Sequence, residues 1–145
     1  MKKFELTSEF VTFLGKKLFR IKALISFRNV EEGELGGYVE KEENLSNDGN
    51  AWVSGDAMVS GNARVCGNAR VYGNAEVYGN AEVYGDARVC GDARVCGDAR
   101  VCGDAEVCGN ARVYGDAEVY GDARVYGNAD YAMVHGFGFE YRTTT

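Results

Sequence analysis

One six-residue phrase repeats without a gap through more than half of the chain, and it constrains the fold more than any other feature. Fourteen consecutive units run from Gly49 to Ala132 in a sequence of 145 residues. They read Gly-[Asn/Asp]-Ala-x-Val-[Tyr/Cys/Ser], except that the last unit keeps only the Gly-Asn-Ala opening. A unit this short cannot bury its own apolar residues, so it is stable only when it stacks on copies of itself. The phrase therefore predicts a solenoid.

The order of residues within the phrase predicts which side chains face inward. Side chains alternate along a strand, so Ala and Val share one face and the variable residue between them takes the other. Glycine tolerates positive φ, and an Asn or Asp side chain can bond nearby backbone and tolerates left-handed backbone, so these two residues are expected to turn the corner. The variable slot is expected to face solvent and contains Trp52, Met58, Arg64, Arg70, Glu76, Glu82, Arg88, Arg94, Arg100, Glu106, Arg112, Glu118, Arg124 and Asp130.

This phrase resembles that of the hexapeptide-repeat proteins. Their strands form a left-handed parallel β-helix of triangular section with three hexads, about 18 residues, per coil. The resemblance covers residues 49–132 strongly and 33–48 weakly. It implies an all-β fold, a single-stranded left-handed parallel β-helix with an N-terminal β-hairpin cap and a short C-terminal β cap. The chain departs from the family in placing Tyr or Cys directly after the aliphatic residue.

With such a coil, residues 18 apart in the sequence stack at about 4.8 Å and form columns. One column of the variable slot alternates in charge and reads Arg64, Glu82, Arg100, Glu118. The other two columns are mixed. Opposite charges on neighbouring strands contribute roughly 0.2 to 1 kcal/mol per pair, so we interpret these columns as ladders that hold the coils in register.

Composition divides the chain into four predicted regions. Residues 1–32 form an N-terminal hairpin cap, 33–48 degenerate first hexads, 49–132 the solenoid, and 133–145 a C-terminal cap or association tail. In the first region two apolar-rich strands are expected between Phe10 and Leu24, around the turn Gly15-Lys16-Lys17, with their basic residues on a solvated outer face. A two-residue insertion separates Leu45 from Val53.

The C-terminal tail provides the candidate interaction surface. A short apolar segment over an open coil end favours binding of a protein partner or self-association, and a homo-oligomer is expected. We call the following residues the tail surface: Tyr131, Val134, His135, Phe137, Phe139 and Tyr141.

Five cysteines occupy the sixth slot of the phrase, which otherwise contains Tyr or Ser. They are Cys66, Cys90, Cys96, Cys102 and Cys108. Only Cys90 and Cys108 stack on adjacent coils, so at most one disulfide is expected and at least three thiols stay free, which suits a reducing compartment. The dispersal of cysteines around the prism disfavours zinc. Seven Asn and seven Asp share the corner slot, which favours turn formation, although a cation between Asp86, Asp104 and Asp122 stays open.

The resemblance also implies a possible activity, because hexapeptide-repeat enzymes include acyltransferases that bind acyl-coenzyme A and use a histidine as general base. The chain has one histidine, His135, beyond the last hexad. We therefore predict no catalytic residue, no cofactor, no cofactor-binding residue and no metal ligand.

Three segments outside the regular phrase are similar to the entry module of bacterial and phage hexapeptide-repeat proteins that are labelled transferases by fold alone. They are Leu18–Phe27 (LFRIKALISF), Gly33–Ser46 (GELGGYVEKEENLS) and Gly49–Val53 (GNAWV). Three hypotheses follow from this resemblance and from the residues. The chain is a non-enzymatic structural or protein-interaction solenoid, an acyl-CoA-dependent acyltransferase, or an acidic phage inhibitor that mimics nucleic acid on a host defence nuclease.

The net charge and the first ten residues limit the cellular compartment and the classes of partner that we expect. A net charge of -6 argues against direct binding to nucleic acid or to an anionic membrane. The start MKKFELTSEF has no apolar run, so we expect neither a signal peptide nor a membrane span. The predicted location is the cytoplasm.

Overall fold

A computed structural model describes residues 2–127 and the backbone of 130–131 and 140–143. The chain is all-β. It forms a parallel β-solenoid of about five coils, with about 18 residues per turn and almost no helix. The predicted fold class is confirmed.

The N-terminal segment is an antiparallel hairpin joined to the first coil. Strand β1 (Phe4–Phe13) pairs with β2 (Lys16–Ala23). Strand β3 (Leu35–Val39) pairs antiparallel with β2 on one side and parallel with the solenoid on the other. The hairpin is longer than predicted: it begins at Phe4 and reverses at Leu14-Gly15, where both φ angles are positive. A short 3-10 turn, Glu42–Asn44, follows β3.

Each of the first twelve units of the phrase forms one two-residue strand from its variable residue and its valine. These strands are β4 (Trp52–Val53), β5 (Met58–Val59), β6 (Arg64–Val65), β7 (Arg70–Val71), β8 (Glu76–Val77), β9 (Glu82–Val83), β10 (Arg88–Val89), β11 (Arg94–Val95), β12 (Arg100–Val101), β13 (Glu106–Val107), β14 (Arg112–Val113) and β15 (Glu118–Val119). Three more complete the described chain: β16 (Arg124–Gly127), β17 (Asp130–Tyr131) and β18 (Glu140–Thr143).

Three sheets form the faces of the prism. Their strand orders are β1-β2-β3-β5-β8-β11-β14-β17, β18-β16-β13-β10-β7-β4 and β15-β12-β9-β6. Within the array, partners are 18 residues apart, as Arg88 opposite Arg70 shows. The predicted columns are therefore confirmed. In the first coil the offset is 20, with Val39 opposite Val59 and Leu45 opposite Val65, because the two-residue insertion lies between them.

The core is a continuous column of alanine and valine. Every Ala and Val of the phrase from Ala51 to Val125 is at most 1% exposed. The interior is therefore filled by the small side chains that the phrase places inward, at the close packing typical of protein cores.

The corners depart from the prediction. Each corner glycine from Gly49 to Gly127 has φ between 64 and 78°, whereas Leu14 and Arg28 are the described non-glycine residues with positive φ. Glycine alone therefore takes the left-handed position, as in a type II′ turn. The neighbouring amide or carboxylate bonds the next coil instead of local backbone: Asn68 Nδ2 donates to Asp86 Oδ1 at 3.1 Å. The same ladder joins Asn62 to Asn80, Asn74 to Asp92 and Asn80 to Asp98.

The backbone hydrogen bonds give the two ends of the solenoid different chemistry. Each coil donates its N–H groups to the coil that follows, as Trp52 N does to Ala69 O at 3.1 Å. The first coil consequently turns its carbonyl groups outward, and buried carbonyls need donors. Two side chains of the N-terminal region supply them: Lys3 Nζ donates to Ala51 O at 2.7 Å, and Asn44 Nδ2 donates to Ala63 O at 2.8 Å.

Lys3 lies before the two predicted hairpin strands, and it is a basic residue that is not on the surface. Its side chain is 1% exposed. The ammonium group also lies 5.0 Å from the ring centroid of Phe27. Burial lowers the pKa of Lys3 to about 8, against a smaller raising effect of Asp48. The need for a donor over the first coil explains why this lysine is inside.

Candidate functional site

A tight loop over one face of the solenoid changes the surroundings of the variable slot. Phe27 and Val30 exchange backbone hydrogen bonds of 2.9 and 2.8 Å, which leaves Arg28 and Asn29 at the tip. The Phe27 ring meets the Trp52 ring edge-on at 5.4 Å. Trp52 is 6% exposed as a result, so the expectation that the whole variable slot faces solvent is wrong at this residue.

Arg70, below Trp52 on the same face, has unusual neighbours for an arginine of the variable slot. It lies opposite Trp52 on one side and Arg88 on the other. Like charges directly opposite each other are destabilising. Each remaining described arginine of the slot has an acidic residue opposite it: Arg64 and Glu82, Arg88 and Glu106, Arg94 and Glu76, Arg100 and Glu118, Arg112 and Asp130, Arg124 and Glu106.

Two adjoining cavities lie beside Arg28 and Arg70, which line both of them. We call the pair the arginine groove. The polar cavity has a volume of about 370 Å³ and is lined by Arg28, Asn68, Arg70, Asp86, Arg88, Asp104 and Glu106. The more apolar cavity has a volume of about 280 Å³ and is lined by Arg28, Asn29, Val30, Glu34, Asn50, Trp52, Ser54, Arg70 and Tyr72.

Ion pairs elsewhere in the variable slot follow the columns. Arg94 Nε lies 3.1 Å from Glu76 Oε1, and Arg100 Nε lies 3.4 Å from Glu82 Oε1. Glu106 accepts from both sides, with Arg124 at 3.4 Å and Arg88 at 4.0 Å. These arginines are about half exposed, so each pair adds roughly 0 to 1 kcal/mol, which supports a role in register and not in chemistry.

Two of the cysteines, Cys66 and Cys108, are unsuited to nucleophilic chemistry. All five are free and half-buried. Burial raises the pKa of the Cys66 thiol. Burial and the neighbouring Cys90 raise the pKa of Cys108 to about 11. A hydrogen bond with Cys102, together with burial, raises the pKa of Tyr84 to about 12. A reactive cysteine needs the opposite shift, because the thiolate is the nucleophile.

We expect Cys108 to alkylate slowly. At pH 8 a thiol of pKa about 11 is ionised roughly 100-fold less than an ordinary thiol, so iodoacetamide should modify Cys108 about 100-fold more slowly in the native protein than in denaturant. Peptide mass spectrometry after timed quenching measures both rates. Equal rates would contradict the buried, hydrogen-bonded thiol.

The tail surface is described in part. The backbone of Tyr131 lies opposite Val113 on the eight-stranded sheet, and that of Tyr141 lies opposite Val125 on the six-stranded sheet. These two residues therefore belong to different faces. Val134, His135, Phe137 and Phe139 lie outside the described residues.

Neither a metal-binding cluster nor a membrane-spanning helix occurs among the described residues. Among them, no three His, Cys, Asp or Glu side chains lie close enough to hold a metal ion. The described residues also contain no helix long and apolar enough to cross a membrane.

The arginine groove was not predicted from the sequence. The sequence contains one indication of it: in the column of Trp52, Arg70 and Arg88, Arg70 has no residue of opposite charge beside it. The position of Arg28 could not be predicted, since it depends on a non-repeating loop that folds over that face.

Four segments of the chain match the YdcK beta solenoid repeat: residues 51–67, 63–79, 87–103 and 105–121. No curated protein matches the chain. The matched segments lie inside the array, and the strand pairing shows how they stack. The chain is therefore a repeat β-helix protein with a β-solenoid fold.

Proposed function

We propose that the chain is a non-enzymatic scaffold that binds a protein partner or a second copy of itself. The closed core carries this proposal. The Ala and Val side chains from Ala51 to Val125 fill the interior, which leaves no room for a ligand inside the coils. A filled prism offers its outer faces and its ends instead.

The N-terminal end of the solenoid is covered within the described residues. The hairpin and the donors Lys3 and Asn44 close the N-terminal end. At the other end β18 adds to the six-stranded sheet beside β16. We propose the C-terminal end, with the tail surface, as the binding site, because a short apolar segment there favours association. The free thiols fit a reducing compartment, and the proposed location is the cytoplasm.

Solution mass tests self-association. We expect light scattering to give a mass above the 15.7 kDa of one chain. A double substitution, Phe137→Asp with Phe139→Asp, should return the mass to one chain because charges in an apolar interface are costly to bury. Leu14→Asp is the matched control: Leu14 is 69% exposed at the hairpin tip, so its loss should leave the mass unchanged.

If the wild-type protein is a monomer, the proposal requires a different protein as the partner. Pull-down from a host lysate should then capture a protein that the double substitution releases and Leu14→Asp retains. A monomer that captures nothing would contradict the proposal.

The acyltransferase hypothesis and the nuclease-inhibitor hypothesis are tested by different measurements. An acyltransferase should gain thermal stability with acetyl-coenzyme A, because a ligand of the native state raises the midpoint. A nucleic-acid mimic should compete with DNA for a nuclease, and salt should weaken the competition.

A further inference from the structure

At its upper end, next to Trp52, the arginine groove is lined by two arginines, Arg28 and Arg70, and by one carboxylate, Glu34, so positive charge exceeds negative charge there. Arg70 has no acidic residue opposite it, and Arg28 lines the same two cavities. We propose that Arg28, Arg70 and Arg88 bind the oxyanion of a small organic molecule whose flat apolar part lies beside Trp52 and Tyr72. This site is independent of the proposed scaffold function.

The backbone of Arg28 supports a role for its side chain. Its φ is 47°, in the left-handed region where glycine is the favoured residue. The side chain makes one long hydrogen bond, from Nη1 to Asn68 O at 3.4 Å. The tight loop between Phe27 and Val30 holds Arg28 at its tip, where the side chain lines both cavities together with Arg70.

The lining of the two cavities defines the ligand class. Guanidinium groups bind phosphate and carboxylate through paired N–H donors. The apolar cavity adds two aromatic side chains, Trp52 and Tyr72.

The lower end of the groove limits the size of the anion. Asp86, Asp104 and Glu106 line it, and Glu106 lies 4.0 Å from Arg88. These carboxylates would repel a long polyanion that extended along the face. The groove therefore fits one oxyanion group and not a nucleic-acid backbone.

Titration with phenyl phosphate tests the proposal. Trp52 is the single tryptophan of the chain, so its fluorescence reports on this site. We expect a saturable change that weakens with salt, and weaker binding of inorganic phosphate and of phenol in competition. No saturable change at millimolar phenyl phosphate would overturn the site. Equal affinity for phenyl phosphate and inorganic phosphate would overturn the role of the aromatic wall.

Arginine substitutions identify the anion contacts. Arg70→Gln should weaken phenyl phosphate binding about tenfold or more, because it removes a charge-assisted hydrogen bond. Arg100→Gln is the matched control: it removes the same charge from another face, where Arg100 lies opposite Glu82 and Glu118. Equal weakening by both variants would show a nonspecific charge effect and overturn the site.

Substitution by glycine separates binding from folding at Arg28. Arg28→Gly should weaken binding while leaving the thermal midpoint unchanged or raised, because glycine fits a positive φ. Leu14→Gly, at the other described non-glycine residue with positive φ, should affect the midpoint similarly and leave binding unchanged. Unchanged phenyl phosphate binding in Arg28→Gly would remove Arg28 from the site.

Discussion

Replacing Gly91 with alanine is expected to destabilise the solenoid by about 2 to 5 kcal/mol. Gly91 has φ 65°, where an L-residue costs roughly 1 to 2 kcal/mol. An added Cβ would also lie 2.9 Å from the backbone N of Gly109 in the next coil. Backbone cannot rotate away, so overpacking adds roughly 1 to 3 kcal/mol.

Gly15→Ala is the matched control for Gly91→Ala. Gly15 has φ 77° at the hairpin turn, and a Cβ there would meet nothing within 4 Å. The loss of stability in Gly15→Ala should reflect the backbone conformation alone, roughly 1 to 2 kcal/mol. Chemical denaturation followed by circular dichroism measures both variants. Equal losses would show that close stacking of corner glycines adds nothing to the cost.

Replacing Lys3 with methionine is expected to destabilise the protein by about 1 to 3 kcal/mol near neutral pH, since the buried carbonyl of Ala51 loses its donor. Methionine keeps much of the apolar volume. Lys2→Met is the control: the Lys2 side chain is 59% exposed and pairs with Glu42 on the surface, so the change should be within roughly 0.5 kcal/mol.

The loss of folding stability caused by Lys3→Met should grow as the pH rises above about 8. The pKa of Lys3 is about 8 in the folded protein, below the ordinary value of 10.5. Between these values the unfolded chain holds a proton that the folded chain has released. Stability therefore rises with pH in this window, by at most about 1.4 kcal/mol per pH unit.

Denaturation of wild type and Lys3→Met from pH 7 to 10 measures this difference. Tyrosine and cysteine groups with raised pKa values act in the opposite direction at high pH, but they are present in both proteins and cancel in the comparison. A gap that narrows as pH rises would contradict a buried lysine with a lowered pKa.

The array could be predicted from the sequence because strand alternation and coil length together decide its contacts. Ala51 and Val53 must face inward once their neighbours alternate, and Arg70 must stack on Arg88 once a coil has 18 residues. Neither conclusion needs any knowledge of the rest of the chain.

The non-repeating segments could not be predicted in the same way. The burial of Trp52 depends on Phe27 folding onto it, and the burial of Lys3 depends on which carbonyls the first coil turns outward. Both are long-range contacts with no periodic signal. The corner ladder of Asn68 and Asp86 was missed because local turn chemistry also explained the same residue types.

The three-faced coil determines how the array can change in length. Adding or removing three units, about 18 residues, lengthens or shortens the rod by about 4.8 Å and leaves every later residue on its original face. Adding or removing one unit rotates the whole downstream part by a third of a turn. Such a change would move Tyr131 and Tyr141 to other faces relative to Arg70. The core would still consist of stacked alanine and valine side chains. Duplication of units in this gene therefore acts on the relative orientation of the two ends more than on the stability of the rod.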